Sequence, residues 1–251
     1  MSRSGIIAFW LIFPSCCIQA NEELLRTLSN KISPPSGIVK ARLFHETRDA
    51  YTGTSFKVTI TRDDTSINTL IESFTRGRVI RILSLKQGSV VYAYRFQSKV
   101  LEDYSNGERI EKITGSNFSL SHFVWKPLDA KFKAVSAAPR QWKNDNYKRL
   151  FLYPTNESTK IKMILWYSDL IDPVPVRIQY YINGILSKEL EIKCGLIPER
   201  TEKGSNETIN VCYQYKLVDL DLGSYSLLEW LSHDKRKIVD SRYFNIENIQ
   251  E

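Results

Sequence analysis

The sequence predicts an α+β fold in which a strongly curved antiparallel sheet of about 11 strands, a half-barrel, encloses two or three helices. Three observations support this prediction. Apolar and polar residues alternate in many short runs separated by turn residues, as in Phe56 to Thr61. Asn183-Gly184 lies between two such runs and is a strong hairpin signal. A chain of 251 residues with 42% apolar content is long enough to form one large domain.

The predicted strands share either this alternation or a short apolar run bounded by turns. They are residues 38–46, 55–61, 68–75, 78–85, 90–96, 148–153, 160–167, 174–183, 185–193 and 209–217, with a closing strand over 237–249. Two other stretches lack a clear strand pattern. Residues 129–146 are expected to be irregular, and residues 225–231 to form a last short helix.

An amphipathic helix is predicted over residues 21–32. Leu24, Leu25, Leu28 and Ile32 recur at the helical period and form one apolar face. Lys31 near the end suits the helix dipole, and the segment 33–37 with two prolines and a glycine stops the helix. We expect this face to pack against the sheet.

Residues 1–20 have the layout of a secretory signal peptide. Arg3 precedes an apolar run that ends near Phe13, and Ala20 is the last residue before a polar segment. The run is too short to span a bilayer. A competing interpretation treats 13–16 as a loose lipobox, with Cys16 lipidated. Either way residues 21–251 form a single exported domain, and loss of Arg3 lowers the formal charge from +7 to +6.

Export has consequences for the partners and the cysteines. A basic surface suits anionic lipid headgroups, whereas export argues against nucleic acid. Cys16 and Cys17 lie in the leader, so Cys194 and Cys212 are expected to form a disulfide in an oxidising compartment. Regular strand pairing would place these two on opposite faces, so the bond requires a bulge or a strand end. Two unpaired thiols are the alternative.

An aromatic strand and a glycine-serine turn occupy residues 87–125. Val90, Tyr92, Tyr94 and Phe96 alternate with smaller or polar neighbours, which predicts one buried strand face. Farther on, Ser116 or Asn117 is suited to cap a short helix that carries the apolar residues Phe118, Leu120, Phe123 and Val124.

This order of parts resembles the outer-membrane lipoprotein-sorting family, the LolA-like periplasmic carriers. Its branch carries a Gly-Ser-Asp-Phe-Ser-Tyr-Glu-Asp-Leu motif at the start of a helix. Four positions are kept here: Gly115, Ser116, Phe118 and Ser119. Asn117 replaces the acid, Leu120 replaces the tyrosine, and Ser121-His122 replaces the Glu-Asp pair. The resemblance implies a periplasmic half-barrel that holds acyl chains of a lipid or lipoprotein. The mature chain would be either free in the periplasm or anchored to the outer membrane by a lipid.

The family's acyl-binding space defines the candidate cavity residues. They are Tyr92, Tyr94, Phe118, Leu120, Phe123, Trp125 and Tyr180. Aromatic stripes at these periods are also typical of an ordinary filled core. The sequence alone leaves open whether these side chains line a cleft or fill it.

A non-enzymatic role is expected, with no catalytic residue, metal or cofactor. His45, His122 and His233 are far apart and lack metal-ligand spacing. No phosphate-cradling glycine loop or nucleophile elbow is present. The leading hypothesis is a carrier or sensor in lipoprotein sorting, with an envelope receptor. The alternative is an envelope interaction module with a filled core and a protein partner. A third interpretation, an outer-membrane barrel, is disfavoured by the charged strand faces.

Overall fold

The computed structural model describes residues 13–33, 35–62, 67–75, 78–85, 90–104, 116–118, 128–155, 162–201, 205–235 and 244–250. These residues contain thirteen strands in one sheet. The strands are β1 (Gly37–Glu46), β2 (Tyr51–Arg62), β3 (Ile67–Thr75), β4 (Arg78–Leu85), β5 (Val90–Arg95), β6 (Val100–Asp103), β7 (Phe132–Trp142), β8 (Asp145–Pro154), β9 (Lys162–Tyr167), β10 (Pro175–Ile182), β11 (Ile185–Arg200), β12 (Asn206–Asp219) and β13 (Ser224–Asp234).

The sheet is an open antiparallel meander whose two halves join through its first and last strands. Its order is β6-β5-β4-β3-β2-β1-β13-β12-β11-β10-β9-β8-β7, so β6 and β7 are the edges. β1 pairs with β13 along its whole length. The helices in the described residues are α1 (Phe13–Ile32), a 3₁₀ turn (Leu128–Ala130) and the short α2 (Ile246–Ile249).

Helix α1 lies in the concave face of a strongly curved sheet. It contacts β7, β10 and β12. In a flat sheet β7 and β12 would be about 24 Å apart, five spacings of about 4.8 Å. Helix α1 contacts β7 through Asn21 and β12 through Ile32, which are only about 17 Å apart along the helix axis, so the sheet curves around α1. The predicted curvature is thus confirmed. No helix in the described part of the chain is long and apolar enough to cross a membrane.

The concave face carries the main core. Cross-strand partners Val39, Val58, Ile71, Ile82 and Ala93 place one buried side chain on each of β1 to β5. Leucines of β8, β9 and β12 continue the same cluster on the other half.

The predicted apolar face of α1 is confirmed. Leu25 and Leu28 are 0% exposed, and Leu24 and Ile32 pack against the same cluster. Burying four such side chains stabilises the fold by several kcal/mol, roughly 1.5–3 kcal/mol each.

A second apolar cluster lies on the outer face of β3, β4 and β5. Leu70, Leu83 and Tyr94 pack there against Phe244 and Ile249 from the end of the chain. These strands are therefore buried on both faces. The predicted single buried face of β5 is wrong in this respect, because Val91 and Ala93 face the main core while Tyr92 and Tyr94 face outward to the C-terminal segment.

Four other segments differ from the sequence-based expectation. Residues 225–231 belong to strand β13 instead of a helix. Residues 132–142 form the edge strand β7 instead of an irregular segment. The described end of the chain, 244–250, is a 3₁₀ residue followed by α2 rather than a closing strand, and the preceding 236–243 lie outside the described residues. The four-residue edge strand β6 was also not predicted.

Cys194 and Cys212 form the predicted disulfide. Lys193 pairs with Gln214, but Cys194 pairs with Cys212, so Tyr213 is an extra residue in β12. This extra residue is a β-bulge, and it places the two cysteines on the same face of the sheet, which regular pairing would not do. It turns Cys212 toward the concave face, where only 2% of it is exposed.

Removing the disulfide is expected to lower the free energy of unfolding by about 3 kcal/mol, because the bond closes a loop with a sequence separation of 18. Urea denaturation of the double variant Cys194→Ser/Cys212→Ser measures this change. Wild type in reducing agent should unfold at the same urea concentration as the variant. A loss below about 1 kcal/mol would contradict the loop-closure argument.

Candidate ligand groove between helix α1 and the sheet

A groove of about 430 Å³ runs between the end of α1 and the sheet. Its volume falls in the range of small-molecule sites, about 300–1,000 Å³. The C-terminal turn of α1 forms one wall, and the disulfide and β12 form the floor. The lining residues are Thr27, Asn30, Lys31, Ser33, Pro35, Arg62, Asp172, Val174, Cys194, Ile209, Asn210, Val211 and Cys212.

Polar contacts hold α1 over the sheet along its length. Arg26 Nε lies 2.9 Å from Asp129 Oδ2. The backbone N–H of Leu128 donates to Ser29 Oγ at 2.9 Å. At the end of the helix, the Tyr215 hydroxyl lies 2.7 Å from the carbonyl oxygen of Ile32 and can donate its hydrogen there. Burial raises the pKa of Tyr215, so the phenol stays protonated.

The groove contains a guanidinium, that of Arg62, whose contacts differ from those of the neighbouring Lys31. Lys31 is paired with Asp172. Arg62 donates to the amide oxygen of Asn30, and it forms no salt bridge with the described residues. Burial lowers the pKa of Arg62, which remains far above neutrality for a guanidinium. The groove therefore combines a guanidinium that has no carboxylate partner in the described part of the chain with the apolar side chains of Val174, Ile209 and Val211.

An apolar loop stands beside the groove. Leu170 is 65% exposed and Ile171 is fully exposed. The two ends of this loop are joined by a hydrogen bond, in which the backbone N–H of Ser168 donates to the carbonyl oxygen of Val174 at 2.9 Å. Asp169 is paired with Lys148 at 2.6 Å. The loop is thus anchored at its base while its two aliphatic side chains face solvent.

The predicted cavity residues do not gather at this groove. Phe118 and Tyr180 lie in the main core, and burial raises the pKa of Tyr180. Tyr92 and Tyr94 lie on the outer face, as described above. Leu120, Phe123 and Trp125 lie outside the described residues, as do the motif positions Gly115 and Ser119. Cys16 falls within α1, but its side chain is not described.

The described part of the motif, residues 116–118, is a buried clasp, and the helix predicted to follow it lies outside the described residues. Ser116, Asn117 and Phe118 are each at most 3% exposed. The Asn117 amide nitrogen Nδ2 donates to the Ser224 carbonyl at 3.1 Å, and Ser224 Oγ donates to Asn117 Oδ1 at 3.1 Å. The Asn117 backbone N–H donates to Ser226 Oγ at 2.8 Å. The segment is therefore fixed across the start of β13.

Sequence reasoning did not identify Arg62, Asp172 or the β12 floor as a site. Arg62 ends β2 and Asp172 lies in a connecting loop, whereas the floor residues lie within β12, and only the fold brings them together at the end of α1. One signal was present in the sequence. Arg62 has the same parity as the apolar residues Phe56, Val58 and Ile60, so the alternation places its charged side chain on the buried face of the strand. Among the described residues, no three His, Cys, Asp or Glu side chains are grouped as metal ligands.

Comparison with known proteins rests on structure. No protein-family model and no curated protein matches the sequence significantly. An outer-membrane lipoprotein-sorting protein domain from Vibrio parahaemolyticus superimposes with a TM-score of 0.74 at 12% identity, covering 93% of this chain and 100% of that one.

Two further solved structures give the same result. A DUF1329 family protein from Desulfovibrio piger has a TM-score of 0.74 at 14% identity, covering 93% of this chain and 99% of that one. A LolA superfamily protein from Nitrosomonas europaea has a TM-score of 0.67 at 14% identity, with coverages of 90% and 98%. The likeness spans the curved sheet and is not confined to one motif. The chain therefore has the LolA-like fold that its sequence resemblance predicted.

Proposed function

We propose that this chain is a non-enzymatic envelope carrier or sensor that binds an acyl chain with an anionic headgroup. The observation that carries the proposal is the Arg62 guanidinium, which has no carboxylate partner among the described residues and borders an apolar groove. A carboxylate or phosphate headgroup would supply the missing negative charge. The acyl chain would lie against Val174, Ile209 and Val211, and each buried methylene would contribute about 0.8 kcal/mol.

Longer cargo requires movement of α1. Side chains such as Val39, Ile60 and Leu165 are 0% exposed, so they are already covered and line no water-sized space. Additional methylenes could reach them only if α1 moved away from the sheet. The contacts at Ile32, Ser29 and Arg26 oppose this motion, and the binding energy of the cargo would favour it. Helix α1 would then act as the lid.

The proposed compartment is the periplasm. The disulfide is consistent with an oxidising environment, and the LolA-like fold is shared with a lipoprotein-sorting domain. A signal peptide over residues 1–20, or a lipid anchor at Cys16, would deliver the chain there. Lipid or lipoprotein acyl chains and an envelope receptor are the proposed partners.

Displacement of a fluorescent fatty-acyl probe tests the proposal. We expect Arg62→Gln to weaken binding of a fatty acid about tenfold, because one charge-assisted hydrogen bond is lost. The affinity for the matching fatty alcohol should change little. Arg42→Gln, which removes the same charge from an exposed position on β1, should leave both affinities unchanged. No displacement by either ligand, or an equal loss for both, would overturn the proposal.

A second candidate function is an interaction module with a filled core and a protein partner. The near-complete burial of the main-core residues in the described part of the chain favours it. Native mass spectrometry of the mature chain, purified without detergent and followed by organic extraction, separates the two functions. Near-stoichiometric lipid supports the carrier. A clean apo mass, together with no probe displacement, supports the module.

A further inference from the structure

A second pocket lies on the outer face of the sheet, across from the groove. It spans β7 to β11 and has a volume of about 400 Å³. At its centre, Trp166 on β9 is flanked by Arg149 on β8 and Arg177 on β10, its direct cross-strand partners. The two guanidinium carbons lie 5.2 and 5.3 Å from the indole ring centre. Both distances are within the range of cation–π contacts, so the arginines are held in place by the tryptophan.

The pocket is positively charged. Three arginines, Arg140, Arg149 and Arg177, line it with a single carboxylate, Glu189. Three positive charges minus one negative charge leave a net charge of +2. Arg177 is paired with Glu189, which also accepts a hydrogen bond from Gln179 at 2.9 Å. Arg140 and Arg149 have no carboxylate partner within the described ranges.

One donor of this pocket is buried and unsatisfied. Arg177 Nε has no hydrogen-bond partner among the described residues, and the side chain is only 12% exposed. Native structures rarely leave such a donor unpaired, because the desolvation cost is not recovered. Two other donors of the cluster are engaged: Trp166 Nε1 donates to Gln179 Oε1 at 2.9 Å, and Arg149 Nε donates to the Ala138 carbonyl at 2.9 Å. An anionic ligand at the arginines would provide further acceptors.

The other end of the pocket is apolar. Phe151 and Ile164 are cross-strand partners, and each lies two residues along its strand from Arg149 or Trp166. Tyr181 and Leu186 form the next cross-strand pair in the same direction, on β10 and β11. Two residues of strand correspond to about 7 Å. The pocket therefore has a cationic end and an apolar end on a rigid sheet, within a short distance of each other.

We propose that this outer pocket binds an amphiphilic phosphate, with the phosphate at Arg140, Arg149 and Arg177 and the apolar group against Phe151, Ile164 and Leu186. A phosphate offers several acceptor oxygens and up to two charges, which suits a group of planar guanidinium donors. The sheet separates this pocket from the groove beneath α1, so the site is independent of the proposed acyl-binding function. A lipid headgroup and a free phosphate ester share this chemistry.

Calorimetric titration of the full mature chain tests the site with three probes: inorganic phosphate, dodecyl phosphate and dodecanol. We expect dodecyl phosphate to bind at least about tenfold more tightly than either of the others, because only it fills both ends. The Arg140→Gln/Arg149→Gln variant should lose about tenfold or more of that affinity. Arg149→Lys, which keeps the charge but loses the planar fork, should lose part of it.

Controls separate this site from other effects. Arg200→Gln removes an exposed charge from the far end of β11 and should change the affinity less than about twofold. The groove proposed above can also take dodecyl phosphate, so the titrations are repeated in the Arg62→Gln background, where binding at the outer pocket should be retained. Phosphatidylglycerol vesicles should bind in competition with dodecyl phosphate if the ligand is a lipid headgroup. Equal affinities for inorganic and dodecyl phosphate, or an unchanged titration in the double variant with a native circular dichroism spectrum, would overturn the proposal.

Discussion

Replacing Gly37 with alanine is expected to lower the free energy of unfolding by about 3–5 kcal/mol. Gly37 has φ +141°, a conformation that L side chains rarely adopt. An added Cβ would lie 2.4 Å from His233 Nε2 and 2.9 Å from the carbonyl oxygen of Asp234. Neither neighbour can give way easily. His233 is buried and bonded on both sides, and the carbonyl belongs to the end of β13.

The contacts of His233 explain the size of this effect. Its Nδ1 lies 2.7 Å from Glu199 Oε1, and its Nε2 lies 2.9 Å from the carbonyl oxygen of Ser36. Both partners are acceptors, so both ring nitrogens must carry hydrogen for both bonds to form. The imidazole thereby links β11, β13 and the segment that enters β1. Displacing the ring would leave a buried carboxylate without its partner.

Gly184→Ala is the matched control. Gly184 also has positive φ, +82°, but an added Cβ meets no atom within 4 Å. Its substitution should cost only the backbone strain, about 1 kcal/mol. Urea denaturation of the two variants measures the difference. If both lose the same stability, the close approach to His233 contributes nothing and the explanation given for Gly37 is wrong.

The regular parts of the fold were predictable because side-chain period and burial agree there. The face of α1 follows from Leu24, Leu25, Leu28 and Ile32 alone. Strand β13 was missed because its inward positions begin with Ser224 and Ser226, which are buried but not apolar. Their hydroxyls bind Asn117, a contact between residues about 110 positions apart that no local pattern reveals.

The other errors have comparable physical causes. Strand β7 is an edge strand that contains Pro139 and is exposed along most of its length, so it lacks the alternation of a half-buried strand. Tyr92 and Tyr94 were expected in the cavity because the resembled family binds acyl chains in the corresponding space and their strand was predicted to bury a single face. The C-terminal segment covers the second face, and only the tertiary structure shows it. The groove residues were missed because Arg62, Asp172 and β12 are far apart in the sequence and meet only in the fold.

The second large effect concerns Asn117, the position at which the resembled family carries an acid. Asn117→Ala is expected to lower the free energy of unfolding by about 2–4 kcal/mol. The substitution removes the two-way exchange with Ser224 and the contact of Nδ2 with the Leu217 carbonyl at 3.5 Å. At 2% exposure, the groups left behind cannot reach bulk water. Chemical denaturation measures the loss, and Asn146→Ala on the exposed part of β8 should change stability little.

Asn117→Asp tests the same clasp through its charge. The introduced carboxylate can still accept a hydrogen bond from Ser224 Oγ. Its other oxygen, however, faces the carbonyl oxygens of Ser224 and Leu217, which accept hydrogen bonds from Asn117 Nδ2 in the wild type. Burial and these oxygens should raise the pKa of the introduced acid above its value in the unfolded chain. The folded state would then bind more protons than the unfolded state, so the deficit relative to wild type should grow as pH rises from about 5 to 8. The exposed variant Asn146→Asp should show no such trend. If Asn117→Asp loses stability equally at all pH values, or loses none, these hydrogen bonds do not hold the segment across β13. The motif would then have to be retained for a contact outside the clasp.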